Sequence, residues 1–271
     1  MRVKVQTRTT RSRSEVGKTG RSARLQGVRL DEWLVAHSFT GSLDQARALV
    51  AGGLVDFEGQ RARSSALVVT NDGQVEVRGP GHPWVGRGGI KLAAALEAMG
   101  LDVAGMVALD AGSSTGGFCD VLLQGGVHSL YAVDVGHGLL HPRIAHDPRV
   151  VVMERTNLRT LARLPGAAPD LVTLDLSFIS LKAVMPAVCS LATPIFHLVA
   201  LFKPQFELGR QWVGPGGVVL PGAPVEAEIG MFQAWAEEVH GMKALGAVRA
   251  AVKGARGNQE WVLHLHRNTS Q

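Results

Sequence analysis

One feature of the chain constrains its fold more than any other: an apolar run that ends in an acid and breaks into closely spaced glycines. Val107-Ala108-Leu109-Asp110 is followed by Ala111-Gly112-Ser113-Ser114-Thr115-Gly116-Gly117-Phe118, which leads into a helix-length stretch. Glycines at a strand-to-helix turn permit tight backbone geometry and close approach of a ligand. A second apolar run, Ser129-Leu130-Tyr131-Ala132-Val133-Asp134, ends in another acid 24 residues after Asp110. A carboxylate there can accept both hydrogen bonds of a ribose 2′,3′-diol, so the layout suits a nucleoside-containing cofactor at the switch point of an α/β sheet. A nicotinamide dinucleotide competes, but its signature is G-x-G-x-x-G, whereas this loop reads G-x-x-x-G-G after an acid. An early acid suits a cofactor with a cationic end and no pyrophosphate. The candidate cofactor contacts are therefore Asp110, Gly112, Ser113, Ser114, Thr115, Gly116, Gly117, Phe118, Asp134 and Val135. The plainer reading is an ordinary tight turn with an N-capping acid.

Further apolar runs, Val150–Met153, Leu171–Asp175 and His197–Phe202, alternate with helix-length segments, and Glu260–Leu265 supplies a last strand. This alternation predicts a doubly wound, mostly parallel α/β sheet. Upstream, Leu30, Trp33 and Leu34 and then Ala46, Leu49 and Val50 fall at helical spacing. Short strand candidates around Val55 and Val75–Val77 follow. The predicted organisation is a basic disordered arm over 1–24, a small domain over 25–79, a linker over 80–85 and the large domain over 86–268. Residues 1–82 carry 13 Lys and Arg against 8 Asp and Glu, while residues 83–271 balance at 15 each. Within the first segment, residues 1–24 hold eight bases and one acid. A cationic tail of this kind most often meets a polyanion.

The two cysteines, Cys119 and Cys189, lie far apart without a C-x-x-C pattern, which argues for a reducing compartment and against a zinc site. His137, His141 and His146 form no metal-ligand spacing, so no metal is expected. The start of the chain lacks the apolar core of a secretory signal, although its Arg-, Ser- and Thr-rich composition also suits an organellar transit peptide. With no apolar run near the roughly 20 residues that span a bilayer, a cytoplasmic protein is expected.

Four charged residues sharpen the reading. Lys91 sits near the start of a helix before the first strand. Asp175 and Lys203 end the fourth and fifth strands, and Glu260 opens the last. Open α/β sheets bind ligands outside the carboxyl ends of their strands, and charges that directly end apolar strands are not easily assigned to solubility. Asn157, after the third strand, is either a cofactor contact or a cap.

Val85–Leu92, Asp110–Phe118, Ala132–Gly136, Asp147–Asn157, Asp175–Leu181 and Val199–Phe206 together resemble the TlyA family of bacterial ribosomal RNA 2′-O-methyltransferases. Members of that family have an FtsJ-like catalytic domain and are sometimes labelled haemolysins. The resemblance covers roughly residues 28–267. It implies a Rossmann-like class I methyltransferase fold, a mostly parallel seven-stranded sheet with helices on both faces, plus a small α+β RNA-binding domain. It also implies S-adenosylmethionine as cofactor and cytidine in ribosomal RNA, within ribosomal subunits, as substrate. The family's catalytic Lys-Asp-Lys-Glu tetrad falls on Lys91, Asp175, Lys203 and Glu260, with Asp175 also beside the cofactor, Lys203 acting on the ribose oxygen and Glu260 orienting Lys91 or the ribose. Asn157 becomes an adenine-side contact, and Arg29, Arg47, Arg61, Arg63 and Arg87 become candidate RNA contacts.

The sequence departs from the family in three places. The small domain carries Ser42-Leu43 and Glu58-Gly59 where Ser-Arg and Asn-Gly are usual. Residues 25–82 are consequently net negative, with five bases against seven acids. His137 replaces an aromatic residue, and Leu220-Pro221-Gly222 replaces a charged run. Rival readings are a non-catalytic RNA-binding or ribosome-assembly factor, a membrane-lytic protein, and a base methyltransferase. The sequence is silent on oligomeric state.

Overall fold

The structure, a computed structural model, describes residues 2–4, 27–36, 39–40, 42–69, 75–78, 83–254 and 256–268. Two compact units divide the chain between Pro83 and Trp84.

The large unit is a seven-stranded sheet built from β1 (Val107–Ala111), β2 (Ser129–Val133), β3 (Val150–Met153), β4 (Leu171–Leu174), β5 (Ile195–Phe202), β6 (Met242–Arg249) and β7 (Trp261–Asn268). Its helices are α1 (Gly88–Met99), α2 (Gly117–Gln124), α3 (Pro142–Ala145), α4 (Met185–Leu191), α5 (Pro204–Glu207) and α6 (Val225–His240). The strand order is β6-β7-β5-β4-β1-β2-β3. The five strands from β1 to β5 run parallel, and β7 is antiparallel to both β5 and β6. The order reverses at β1/β4, which opens a crevice at the carboxyl ends of those strands.

Strand residues alternate between two apolar layers, as the period of two requires. Ala108, Leu130, Ala132, Val199, Leu201 and Val262 face Leu92, Leu96, Phe118 and Leu122 of α1 and α2. Leu109, Val133, Leu174, Phe202 and Leu263 face Met185, Val188, Ile229 and Phe232 of α4 and α6. Phe196, Phe202 and Phe232 are each almost wholly buried, and each such side chain stabilises the fold by about 1.5–3 kcal/mol relative to exposure. The strand at Glu260–Leu265 begins at Trp261 and lies inside the sheet. The edge beyond it is β6, whose register shifts between Ala244 and Gly246.

The small unit pairs helices Leu30–Ala36 and Leu43–Ala51 with a sheet ordered Arg2–Lys4, Val75–Arg78, Val55–Phe57, Gln60–Arg61. Ser42 caps the second helix by accepting a hydrogen bond from Gln45 N. The turn between Val55–Phe57 and Gln60–Arg61 holds both Glu58 (φ 51°) and Gly59 (φ 75°) in the left-handed region. That is the two-residue hairpin geometry usually met by Asn-Gly. At the start of the expected arm, Arg2–Lys4 pairs antiparallel with Val75–Arg78. The Arg-Val-Lys-Val alternation has the period of a strand. The rest of that arm, 5–24, lies outside the described residues, as do positions 25–26 and 79 of the small domain and linker positions 80–82. Among the described residues no helix is long and apolar enough to cross a membrane.

Candidate active site

The carboxyl end of the sheet carries two neighbouring cavities. The first, of about 430 Å³, opens beside β1 and β2 and is lined by Gly112, Ser114, Asp134, Val135, Leu139, Asn157, Leu176 and Ile179 among others. Its size suits a small-molecule site. Asp134 is its carboxylate next to β2: Oδ2 accepts from Ser114 N at 2.8 Å and Oδ1 from Gly136 N at 2.7 Å. Each oxygen keeps a lone pair for a ligand. Gly112 is in the left-handed region (φ 82°), and a Cβ there would stand 2.5 Å from the Asp175 carbonyl oxygen. Only glycine lets these two strand ends close on each other. Asn157 both lines the cavity and caps the 3₁₀ turn Leu158–Thr160, accepting from Arg159 N at 3.0 Å.

The rest of the glycine loop packs closely against the start of α1. Ser113, Thr115, Gly117 and Phe118 line a separate recess of about 90 Å³ against Gly88. A Cβ on Gly117 would meet Gly89 N at 2.9 Å, and one on Gly86 would meet Thr115 Oγ1 at 2.6 Å. Gly116 lies under Leu140 and Ile144. The Gly86–Gly89 segment and the 112–117 loop thus meet backbone to backbone, which fixes the start of α1 and with it Lys91.

Asp110 needs a correction. It is fully buried and lines neither cavity. Oδ1 accepts from Thr173 Oγ1 at 2.7 Å and Oδ2 from the Cys119 thiol at 3.0 Å. Burial pushes its carboxyl up to about 6, partly offset by those two hydrogen bonds. It ties β1, β4 and α2 together beneath the loop instead of facing a ligand.

The second cavity, of about 350 Å³, is lined by Lys91, Asp175, Lys203 and Glu260, with Ser177, Gln205, Phe206 and Arg256. Four residues spread over 169 positions converge here as two ion pairs. Lys91 Nζ donates to Glu260 Oε2 at 2.6 Å, both side chains being buried. Lys203 Nζ lies 2.7 Å from Asp175 Oδ1 and donates to Ser177 Oγ at 3.0 Å. The two pairs leave the tetrad neutral, which makes burial of its charges tolerable.

Several supporting residues carry no sequence signal of their own. A Cβ on Gly254 would stand 2.3 Å from Glu260 Oε1, so glycine there makes room for the carboxylate. Glu207 accepts from Ser180 Oγ at 2.6 Å and Leu181 N at 2.8 Å, joining the loop after β4 to α5, and burial raises its carboxyl above the ordinary value. Gln205 Oε1 is shielded from solvent and has no hydrogen-bond partner among the described residues. Phe178 is 81% exposed, holds φ at 64°, packs against Phe206 at 5.2 Å and lines both cavities. A bulky residue held in that region and left in water is a strained, exposed aromatic at the junction of the two compartments.

The candidate RNA contacts divide. Arg29 forms a two-pronged bond to Asp31 (Nε–Oδ1 3.0 Å, Nη2–Oδ2 2.8 Å), and Arg47 bonds Asp31 at 3.2 Å and Asp44 at 3.3 Å. Asp31 is inaccessible, and its two arginines, Arg29 foremost, hold its carboxyl well below the usual range. All five arginines are exposed, and Arg29 and Arg47 in addition pair with carboxylates. His137 is drawn to Glu154 (2.7 Å), and His141 caps α3.

A sheet of this order, with its ligand crevice at β1/β4 and β2, defines a Rossmann-like class I methyltransferase domain. The FtsJ-like methyltransferase family matches residues 84–267. A Mycobacterium tuberculosis protein named 16S/23S rRNA (cytidine-2'-O)-methyltransferase TlyA is 41% identical over 246 residues, 90% of this chain and 91% of that one. Hemolysin A of Brachyspira hyodysenteriae is 32% identical over 240 residues, 88% of this chain and 99% of that one. A solved hemolysin-named chain from Streptococcus thermophilus superposes with a TM-score of 0.70 at 33% identity, covering 91% of this chain and 90% of that one. The chain belongs to the FtsJ-like methyltransferase family, in its TlyA branch.

Proposed function

We propose that the protein transfers the methyl group of S-adenosylmethionine to a ribose 2′-hydroxyl of ribosomal RNA, with cytidine in a ribosomal subunit as the target and the cytoplasm as the setting. The observation that carries this reading is two ion pairs, one buried and one partly buried, lining one cavity that shares a wall with a second, largely apolar one. The lining of the first cavity supports a cofactor there: in this reading Asp134 takes the ribose diol, Asn157 the adenine side, and Gly112 and Ser114 lie along the chain between them. When bound, S-adenosylmethionine supplies a methyl group on a sulfonium that departs as a neutral thioether, so the barrier lies in alignment and in making the ribose oxygen nucleophilic.

In this reading Lys203 is the catalytic residue. Its ammonium donates to the ribose O2′ and stabilises the negative charge that develops there. The step balances if Lys203 passes one proton to Asp175 as it takes the proton of the hydroxyl. Ser177 holds the Lys203 ammonium in line, and Lys91, fixed by Glu260, adds positive charge on the acceptor side. Alignment of this kind can lower the barrier by several kcal/mol. Phe178 offers its exposed ring to the target base, since every base presents a π-face. In the small unit, Arg29, Arg47, Arg61, Arg63 and the cationic arm are the candidates for phosphate contact, and Arg87 is the candidate in the large unit.

The test is transfer of labelled methyl from S-adenosylmethionine to purified ribosomal subunits. Alkali-resistant labelled dinucleotides from wild type and none from Lys203→Ala support the reading. Label in alkali-sensitive nucleotides would move the reaction to the base, and absence of transfer by a folded, cofactor-binding protein would overturn it.

A further inference from the structure

Outside the tetrad, the second cavity presents one further charged side chain, Arg256. Among the described residues it is the lining cation without a carboxylate in ion-pair reach, because Lys91 is taken by Glu260 and Lys203 by Asp175. It stands in the tight turn between Gly254 and Asn258, closed by Gly257 N to Gly254 O at 2.9 Å and Gly254 N to Asn258 O at 2.9 Å. That turn leads directly into Glu260.

Arg256 is also held from the other side. Its Nη1 donates to Gly216 O at 2.7 Å, and a Cβ on Gly217 would come 2.7 Å from the same nitrogen, so glycine with φ 77° lets the guanidinium lie against the loop. The loop itself is anchored by buried Asn258, which donates from Nδ2 to Gly217 O at 2.8 Å and accepts from Val219 N at 3.0 Å. A planar guanidinium carries five donors. One is used on the loop, and the rest remain for a ligand at the mouth of a cavity whose four tetrad charges already cancel.

An RNA ribose brings a charge of its own into such a cavity. The carbon bearing the 2′-hydroxyl neighbours the one bearing the 3′-phosphate, so an acceptor oxygen at Lys203 puts a phosphate within a few bonds of the tetrad. Phosphate is what a fixed guanidinium binds best, through paired N–H donors. We propose that Arg256 grips the backbone phosphate on the 3′ side of the methylated ribose and so registers the acceptor strand against Lys203. The proposal rests on the methyl-transfer reading above and names an acceptor-binding residue for it.

The test compares Arg256→Gln and Arg256→Lys with the wild-type full chain, using ribosomal subunits as acceptor and measuring subunit binding across a salt series. Glutamine keeps a donor for Gly216 O without charge, and lysine keeps the charge. Arg256→Gln should raise the KM for subunits on the order of tenfold, the loss expected for one charge-assisted contact. Affinity for S-adenosylmethionine and kcat should not move. The slope of log affinity against log salt should fall by about one. Arg256→Lys should restore the slope and most of the KM. An unchanged slope and KM in Arg256→Gln, or a defect that lysine does not repair at all, overturns the proposal while leaving methyl transfer intact. If wild type methylates nothing yet Arg256→Gln still loses one unit of slope, the phosphate contact stands and the methyl-transfer reading falls.

Discussion

The two cavities share a wall formed by Gly112, Ser114, Asp175, Ser177 and Phe178, yet they are built on opposite plans. The one beside β1 and β2 is apolar along most of its lining, with Asp134 held by backbone N–H groups from its own neighbourhood. The one beside β4, β5 and β7 is made of full charges in pairs, Lys91 with Glu260 and Lys203 with Asp175, drawn from distant parts of the chain. The first selects by shape and a few fixed hydrogen bonds, and its losses are losses of affinity. In the proposed reading the two ion pairs of the second organise charge around the reacting oxygen, so losses within those pairs are losses of rate.

Removing the second cavity's central cation should produce the largest effect. Lys203→Ala is expected to slow methyl transfer by about 10³-fold, within the range for one proton-transfer group, while cofactor affinity measured by calorimetry stays at the wild-type level. A fall in cofactor affinity of similar size would erase the distinction between the compartments. Glu260→Gln breaks the other pair and leaves the Lys91 ammonium buried without its carboxylate. Such a change costs about 3–5 kcal/mol of stability, readable as a lower denaturant midpoint.

Asp110 sharpens the comparison from below, because it belongs to neither compartment. Its folded pKa of about 6 lies above that of an unfolded aspartate, so its contribution to stability is complete below about pH 4 and is lost as pH rises through 6. Roughly two pH units at 1.36 kcal/mol each amount to about 3 kcal/mol. Asp110→Asn, compared with wild type by urea unfolding, should therefore gain relative stability between pH 4 and pH 7. A difference between the two proteins that does not vary with pH would mean the carboxyl is not held protonated by burial. The smallest effect belongs to Asp134→Asn: loss of one charge-assisted bond, about tenfold in cofactor affinity, with subunit binding unaltered.

Much of this arrangement could be read before folding was considered, for a specific reason. Asp134, Asp175 and Lys203 each terminate or directly follow an apolar strand, and the chemistry of an open parallel sheet gathers such residues at one edge. Asp110 fits the same pattern and yet turns inward, because its partners Thr173 and Cys119 come from β4 and α2 and leave no mark beside it in the sequence. Strand β6 is not flagged either. Gly246 and the register shift beside it dilute the apolar alternation, and the strand gains its place only from pairing with β7. The same blindness applies to Gly254, Glu207 and Phe178, whose importance lies in a Cβ that is missing, a hydrogen bond across 26 residues and a backbone angle. Arg29 and Arg47 share a partner whose burial leaves no mark in the sequence, the Asp31 carboxylate that both contact once folded.

The division of labour between the cavities is tested most directly by single-turnover methyl transfer to ribosomal subunits as the cofactor concentration is raised, with wild type, Asp134→Asn and Lys203→Ala side by side. The account predicts that Asp134→Asn climbs to the wild-type rate once the cofactor saturates, whereas Lys203→Ala stays about 10³-fold slower at every concentration. Recovery of Lys203→Ala at saturating cofactor, or a persistent rate defect in Asp134→Asn, would contradict it.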